Sequence, residues 1–232
     1  QMYGNEEGVG DAIAASGLPR DELYVTTKLD NGLHRPDDAR RSFDESLVRL
    51  RLDRVDLFLI HWPLPTLYDG DYVSTWQTLA ELQKDGRTTS IGVSNFQPDH
   101  LERIVAETGV APVINQVECH PFFRNDPVRQ ANQRHGVVTE AWAPIARGRI
   151  HDHDAIVDIA SAVGRTPAQV VLRWHLQHGH VVFPKTTHVE RMRENADLFG
   201  FELSEEQMGA IDALDLGESG RLGPHPDRFD RV

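Results

Sequence analysis

The sequence predicts an α/β fold of the (β/α)8-barrel (TIM-barrel) type in one domain spanning residues 1–232, and three observations predict it. Short β-rich apolar runs alternate with amphipathic stretches along the whole chain, the pattern of a parallel sheet covered on both faces. No G-x-G-x-x-G follows a strand, which argues against the doubly wound alternative. Polar residues stand at the carboxyl ends of the runs, where a barrel gathers its site. They are Lys28, His61, Ser94 with Asn95, Gln116 with Glu118, Trp142 and Lys185.

In chain order, Gly8-Val9-Gly10 lies in an early helical stretch and lacks the third glycine of a dinucleotide fingerprint. Leu23–Thr27 reads as the first strand. Phe43, Leu47 and Leu50, spaced i, i+4, i+7, mark an amphipathic helix. Val55–Ile60 is the second strand and Ser90–Val93 the third, with Leu101, Ile104 and Val105 marking the next helix. Val113–Val117 and Val137–Trp142 are the fourth and fifth strands. His151-Asp152-His153-Asp154 resembles a ligand cluster but reads better as a polar loop, with Asp154 capping the following helix. Thr166-Pro167-Ala168-Gln169 pairs a capping box with proline at the first helical position, and Ser204-Glu205-Glu206-Gln207 is a second capping box. Val181–Phe183 is the sixth strand. An eight-stranded barrel needs two more, so the first two strands and the first helix are expected to be absent from the N-terminal end.

Lys and Arg total 24 against 36 Asp and Glu, a net charge of −12. Such a surface repels nucleic acid and acidic membranes, so neither is an expected partner. No apolar run approaches the roughly 20 residues of a membrane span. The opening QMYGNEEG has neither the basic nor the apolar part of a secretion signal. The single cysteine, Cys119, permits no intrachain disulfide and reads as strand-end packing. A cytoplasmic monomer is the expectation.

Five ordered segments carry a resemblance. They are Met2-Tyr3-Gly4-Asn5-Glu6, Thr26-Thr27-Lys28, Asp56–Pro63, Ile91–Phe96 and Asn115–Pro121, extended by Trp142-Ala143-Pro144 and Val182–Lys185. Together they closely resemble the aldo-keto reductases, nearest the bacterial 2,5-diketo-D-gluconate reductase branch, from Tyr3 to about Phe229. The resemblance implies NADP(H)-dependent reduction of small aldehydes or ketones, keto-sugars and 2-dicarbonyls included.

Tyr3, Lys28 and His61 match three members of the family's catalytic tetrad. The fourth, an aspartate upstream of the tyrosine, falls before the first residue, which implies reduced turnover for this chain. Hydride addition to a carbonyl builds negative charge on oxygen, which a proton donor must quench. An unperturbed tyrosine has a pKa of about 10, and a neighbouring Lys28 ammonium is expected to lower it. His61 is expected to orient the carbonyl oxygen and donate to it. Alone, Tyr3 reads as a packing residue, Lys28 as a strand-end lysine and His61 as a core histidine. Their joint placement inside matching motifs reverses that reading.

For the cofactor, the resemblance places Ser94, Asn95 and Gln116 on the nicotinamide carboxamide and Trp142 against the ring face. Lys185, Thr186, Thr187 and Arg191, running from the sixth strand into a helix, match contacts to the 2′-phosphate; Asn195 matches an adenine contact. Helix N-termini attract phosphate through free N–H groups and the dipole. His188 stands where close relatives carry arginine, which allows some NAD(H) use. The loop Ala146-Arg147-Gly148-Arg149 is expected to close over the pyrophosphate. Trp62 is expected to wall the substrate pocket and the tail Arg221–Pro226 to approach its mouth. No residue is assigned to a metal. The bland alternatives are a strand-ending turn for Ser94 and Asn95, core packing for Trp142 and a solvated helix face for Arg191.

A second reading belongs to another class: a catalytically weak or inactive barrel that binds NADP(H) and regulates a partner. A third, an unrelated barrel lyase or isomerase, lacks phosphate or metal signals to support it.

Overall fold

The computed structural model describes residues Gln1–Val232. The chain forms two compact units. The first comprises residues 1–115, 134–137 and 225–232, and the second residues 116–133 and 138–224.

The first unit carries α1 (Glu6–Ser16), β1 (Thr26–Leu29), α2 (Pro36–Leu50), β2 (Val55–Ile60), α3 (Val73–Lys84), β3 (Thr88–Ser94) and α4 (Pro98–Thr108). Its strands are parallel, with Leu29 opposite Ile60 and Ile60 opposite Val93. That register brings the carboxyl ends of all three strands level, so Lys28, His61 and Ser94 emerge from one end of the sheet. Residues 57–60 of β2 are buried and apolar, as a strand covered on both faces requires. α2 buries Phe43, Leu47 and Leu50 as their spacing predicts, and the Phe43 ring lies 4.6 Å from that of Phe58. Burying a side chain of this size stabilises the fold by about 1.5–3 kcal/mol.

The second unit holds most of β4 (Ile114–Glu118) and of α5 (Asp126–Arg134), with β5 (Val138–Trp142), α6 (Asp154–Val163), α7 (Pro167–Gln177), β6 (Val181–Val182), α8 (Val189–Ala196) and α9 (Glu205–Asp212). β5 and β6 pair in parallel. The core of this unit joins Ile156 and Ile159 of α6, Val170, Val171 and Trp174 of α7, and Ile211 of α9. Both predicted capping boxes are present: Thr166 accepts from the Gln169 N–H, and Ser204 from that of Gln207. Trp174 is fully buried, and its indole N–H reaches the Asp212 carboxylate over 2.9 Å.

Most strand boundaries differ from the sequence reading by one or more residues, and three differences have a local cause. The first strand begins at Thr26, not Leu23, because the Asp56 carboxylate takes the Val25 N–H at 2.7 Å and the Arg20 guanidinium at 2.7 Å. A side chain thus supplies the partner that a neighbouring strand would otherwise provide. The last strand is two residues long and leaves out Phe183, because Pro184 follows it and cannot donate to a ladder. α6 is entered from His153 with no side-chain cap; Asp154 is its first helical residue and complements the positive end of the helix dipole as a charge instead. No single helix is long and apolar enough to cross a membrane.

Candidate active site

Tyr3 precedes α1, Lys28 lies in β1 and His61 directly follows β2. The first unit brings all three together. The Tyr3 hydroxyl stands 3.4 Å from His61 Nε2, and Lys28 Nζ lies 5.2 Å from the Tyr3 ring centroid. Trp62, next to His61, is buried beneath Phe229 of the C-terminal tail, with ring centroids 4.2 Å apart. The Asn31 amide holds the same tail by the Arg231 carbonyl at 2.9 Å.

Burial, with the Lys28 ammonium second, pushes the His61 pKa down to about 3. The imidazole is therefore neutral and can give an N–H to an oxygen without carrying charge. Its Nδ1 is buried with no hydrogen-bond partner. Tyr3 departs from the sequence expectation: partial burial raises its pKa above the ordinary phenol value. The ammonium of Lys28 lies within reach of the Tyr3 π face, 5.2 Å from the ring centroid.

Ser94 ends β3 and Asn95 follows it in the left-handed region at φ 63°. Asn95 Nδ2 donates to the His61 carbonyl at 2.9 Å and to Ser94 Oγ at 3.1 Å. Asn115 brackets the next residue, giving its amide N–H to the Phe96 carbonyl at 3.0 Å. A polar lattice thus fixes the backbone that carries His61. Ser94 and Asn95 thus lie next to His61 in the first unit.

In the second unit, Gln116 of β4 donates to the buried Glu140 carboxylate of β5 at 2.8 Å. Trp142 ends β5 and is partly exposed. Lys185, Thr187 and Arg191 are exposed around the start of α8, and Arg191 and Asn195, four residues apart, share one face of that helix. The Thr186 hydroxyl accepts from the His188 N–H at 3.1 Å, while no side chain caps the helix itself. Two cations, hydroxyls and open helix N–H groups form a donor set that suits a phosphate dianion. α8 is held at its other end by α7, through Thr166 Oγ1 to Glu194 at 2.6 Å and Gln169 Nε2 to the Asp197 carbonyl at 3.1 Å. Ala146-Arg147-Gly148 forms a short 3-10 turn with Arg147 at φ 52°.

Cys119, His175 and His180 place their ligand atoms within 4.8 Å of one another in the second unit. Their hydrogen bonds account for the group. His175 Nε2 faces the Pro144 carbonyl at 3.1 Å, so its proton sits there. Arg129 Nε donates to His180 Nε2 at 3.0 Å, which leaves His180 Nδ1 to donate to His175 Nδ1 at 3.1 Å. A guanidinium facing one of the rings opposes a second cation there. Cys119 is fully buried, and burial pushes its thiol up to about 12.

Two buried carboxylates escaped the sequence reading. Glu140 is the one charged residue of the strand Val138–Trp142, a signal that was available. Glu6 accepts from Thr27 Oγ1 at 2.5 Å, Ser46 Oγ at 3.1 Å and Arg49 Nε at 2.7 Å. It ties the entry of α1, just after Tyr3, to the strand residue preceding Lys28.

Residues 1–216 match the model of the aldo/keto reductase family. The chain is 46% identical over 229 residues to the methylglyoxal reductase DkgA of Escherichia coli K12, covering 98% of this chain and 81% of that protein. A solved structure of a Gox0644 mutant in complex with NADPH is 46% identical and superposes with a TM-score of 0.93, covering 98% of this chain and 82% of the other. The Bombyx mori aldo-keto reductase AKR2E4, solved in complex with NADP, is 35% identical with a TM-score of 0.86, covering 92% of this chain and 76% of that one.

Proposed function

The chain belongs to the aldo/keto reductase family, and from that premise we propose that it reduces small aldehydes and ketones, 2-dicarbonyls among them, with Tyr3 as proton donor. Its parallel α/β architecture is the (β/α)8-barrel class of that family. The single observation that carries the chemical reading is the convergence of Tyr3, His61 and Lys28 at level strand ends.

NADPH supplies the hydride when bound. As hydride adds to the carbonyl carbon, the π pair moves to oxygen, which accepts a hydrogen bond from the neutral His61 imidazole. The Tyr3 O–H proton passes to that oxygen and completes the alcohol. The resulting phenolate lies near the Lys28 ammonium, whose charge stabilises it until solvent reprotonates it. With a pKa no lower than that of an ordinary phenol, Tyr3 is in its donor form at neutral pH. By resemblance to the family, Ser94 and Asn95 of the first unit carry hydroxyl and amide groups suited to a nicotinamide carboxamide; in the second unit Gln116 carries an amide of that kind and Trp142 a stacking face. Lys185, Thr186, Thr187 and Arg191 bind the 2′-phosphate and Asn195 the adenine. DkgA is named a methylglyoxal reductase, and that printed activity sets the first substrate to try.

The test is NADPH consumption with methylglyoxal or a nitrobenzaldehyde, followed at its absorbance. Turnover that drops in Tyr3→Phe by about 10²–10⁴-fold, the usual worth of a positioned acid, supports the reading. NADPH binding without turnover would instead favour a regulatory, non-catalytic barrel.

A further inference from the structure

Glu118, the last residue of β4, is almost fully buried yet reads as ionised. Its Oε1 accepts from the Leu222 N–H at 2.6 Å and from His120 Nε2 at 3.1 Å, and its Oε2 from the Gly223 N–H at 2.9 Å. These donors outweigh desolvation and hold the carboxyl below the usual range. The two N–H groups come from chain more than 100 residues away. At the gripped residue, Gly223, a Cβ would sit 2.5 Å from Trp142 Cη2 and 3.0 Å from Glu118 Oε2. The main chain at Gly223 therefore runs so close to the carboxylate and to the six-membered ring of the indole that no side chain fits there. Leu222 packs against the apolar core and Arg221 lies over the Phe123 ring, but Gly223 itself has no side chain, so hydrogen bonding to its backbone N–H is what fixes its distance from the carboxylate.

We infer that Glu118 is a positioning residue for Trp142. By clasping Leu222 and Gly223 it presses the backbone against the indole and fixes the plane that the ring offers to the nicotinamide. The inference rests on the reading that Trp142 stacks on the cofactor. Loss of the clasp frees the loop and lets the ring tilt, so binding weakens at the nicotinamide end alone. His120, with its Nε2 on the carboxylate, keeps the clasp oriented and ionised.

The experiment compares two probes, NADPH and 2′,5′-ADP, which carries the adenine and phosphate end but no nicotinamide. Titrations use the whole chain as wild type, Glu118→Gln, Trp142→Ala, the double variant and Gly223→Ala, which leaves the carboxylate intact and displaces the ring. Glu118→Gln and Gly223→Ala are each expected to weaken NADPH about tenfold, the size of one stacking contact, with 2′,5′-ADP unchanged. The double variant is expected to bind NADPH no more weakly than Trp142→Ala alone, because both changes remove the same contact. Wild-type NADPH affinity in Glu118→Gln, equal losses for both probes, or independent multiplying effects in the double variant would overturn the inference. Wild-type affinity in Trp142→Ala would instead remove the stacking reading beneath it, so the two failures are told apart.

Discussion

The side-chain amide of Asn95 donates to the main-chain carbonyl of His61 over 2.9 Å, joining the residue just past β3 to the residue just past β2. Asn95 holds φ 63°, a conformation that asparagine tolerates better than a residue with an ordinary Cβ and no polar handle. Asn95→Ala is expected to destabilise the fold by about 1–2 kcal/mol through lost hydrogen bonding and left-handed strain. Asn95→Gly keeps the backbone unstrained and loses only the bond. Both are expected to lower kcat about tenfold, because a shifted His61 misdirects its N–H. Thermal unfolding separates the two in stability, and steady-state kinetics should not; wild-type kcat in both would end the positioning role.

Acidity at the site sets a pH profile. His61, held near 3 by burial and Lys28, stays neutral across the working range, and Tyr3, raised above the ordinary phenol, stays protonated. The rate of reduction is expected to be flat from about pH 5 to about pH 9, with a fall only as the phenol ionises above about pH 10. The reverse oxidation needs the phenolate as base and should rise across that upper limit. A break in reduction between pH 6 and 8 that disappears on replacing His61 would show an ionising imidazole and contradict this assignment.

Burial of neutral histidines also makes stability depend on pH. His34 is pushed down to about 4 and His61 to about 3, and burial lowers His175 and His180 as well. In the unfolded chain each titrates near 6.5. A depressed folded pKa means the unfolded state binds protons first as pH falls. The stabilisation is complete above about pH 6.5 and erodes below it until the folded group itself titrates. Each such histidine is expected to lower the unfolding free energy by about 1 kcal/mol for each pH unit below 6. Denaturant unfolding at pH 7.5, 6 and 5 measures the slope; His34→Gln, at a residue outside the catalytic group, should reduce it.

The sequence made some of this legible and concealed the rest for local reasons. β2 was readable to the residue, because Val55–Ile60 carries four consecutive apolar residues, Leu57 to Ile60, with a turn before it and a polar end after it. β1 was not, because its start is set by the Asp56 carboxylate acting 31 residues away on the Val25 N–H. No periodicity in Leu23–Thr27 records that bond. Tyr3, Lys28 and His61 were legible as motif members, and level strand ends explain why they meet. The raised Tyr3 pKa was not legible, since it depends on how far the folded chain shields the phenol from water. Glu6 stayed hidden because its partners lie on β1 and α2, and nothing in Asn5-Glu6-Glu7 distinguishes the buried carboxylate from its exposed neighbour.

Gly92 tests how tightly β3 and the start of β4 pack. A Cβ there would lie 2.7 Å from Ile114 Cγ2, 2.7 Å from Leu59 Cδ2 and 2.8 Å from the Ile114 carbonyl. The side chains can shift, but the carbonyl belongs to a strand and cannot move far. Gly92→Ala is expected to cost about 1–3 kcal/mol by overpacking. Pairing it with Leu59→Val, which thins one of the crowding groups, should recover part of the loss. An unchanged melting temperature in Gly92→Ala would show that the strands have more room than these distances allow.

Cofactor preference is the prediction with the sharpest internal control. Arg191 is exposed in the first turn of α8, and the helix carries no side-chain cap. A charge-assisted bond from its guanidinium to a 2′-phosphate is worth about 1.5–3 kcal/mol, whereas NADH offers no phosphate to receive it. Arg191→Ala is expected to raise KM for NADPH by about tenfold or more while leaving NADH and kcat nearly unchanged. His188→Arg should act in the opposite sense, since it places a permanent guanidinium at the helix start, and salt screens the gain. The ratio of kcat/KM for the two nucleotides, measured at low and high ionic strength, reports both effects. Equal losses for NADPH and NADH in Arg191→Ala would mean that the helix start serves the fold and does not read the phosphate.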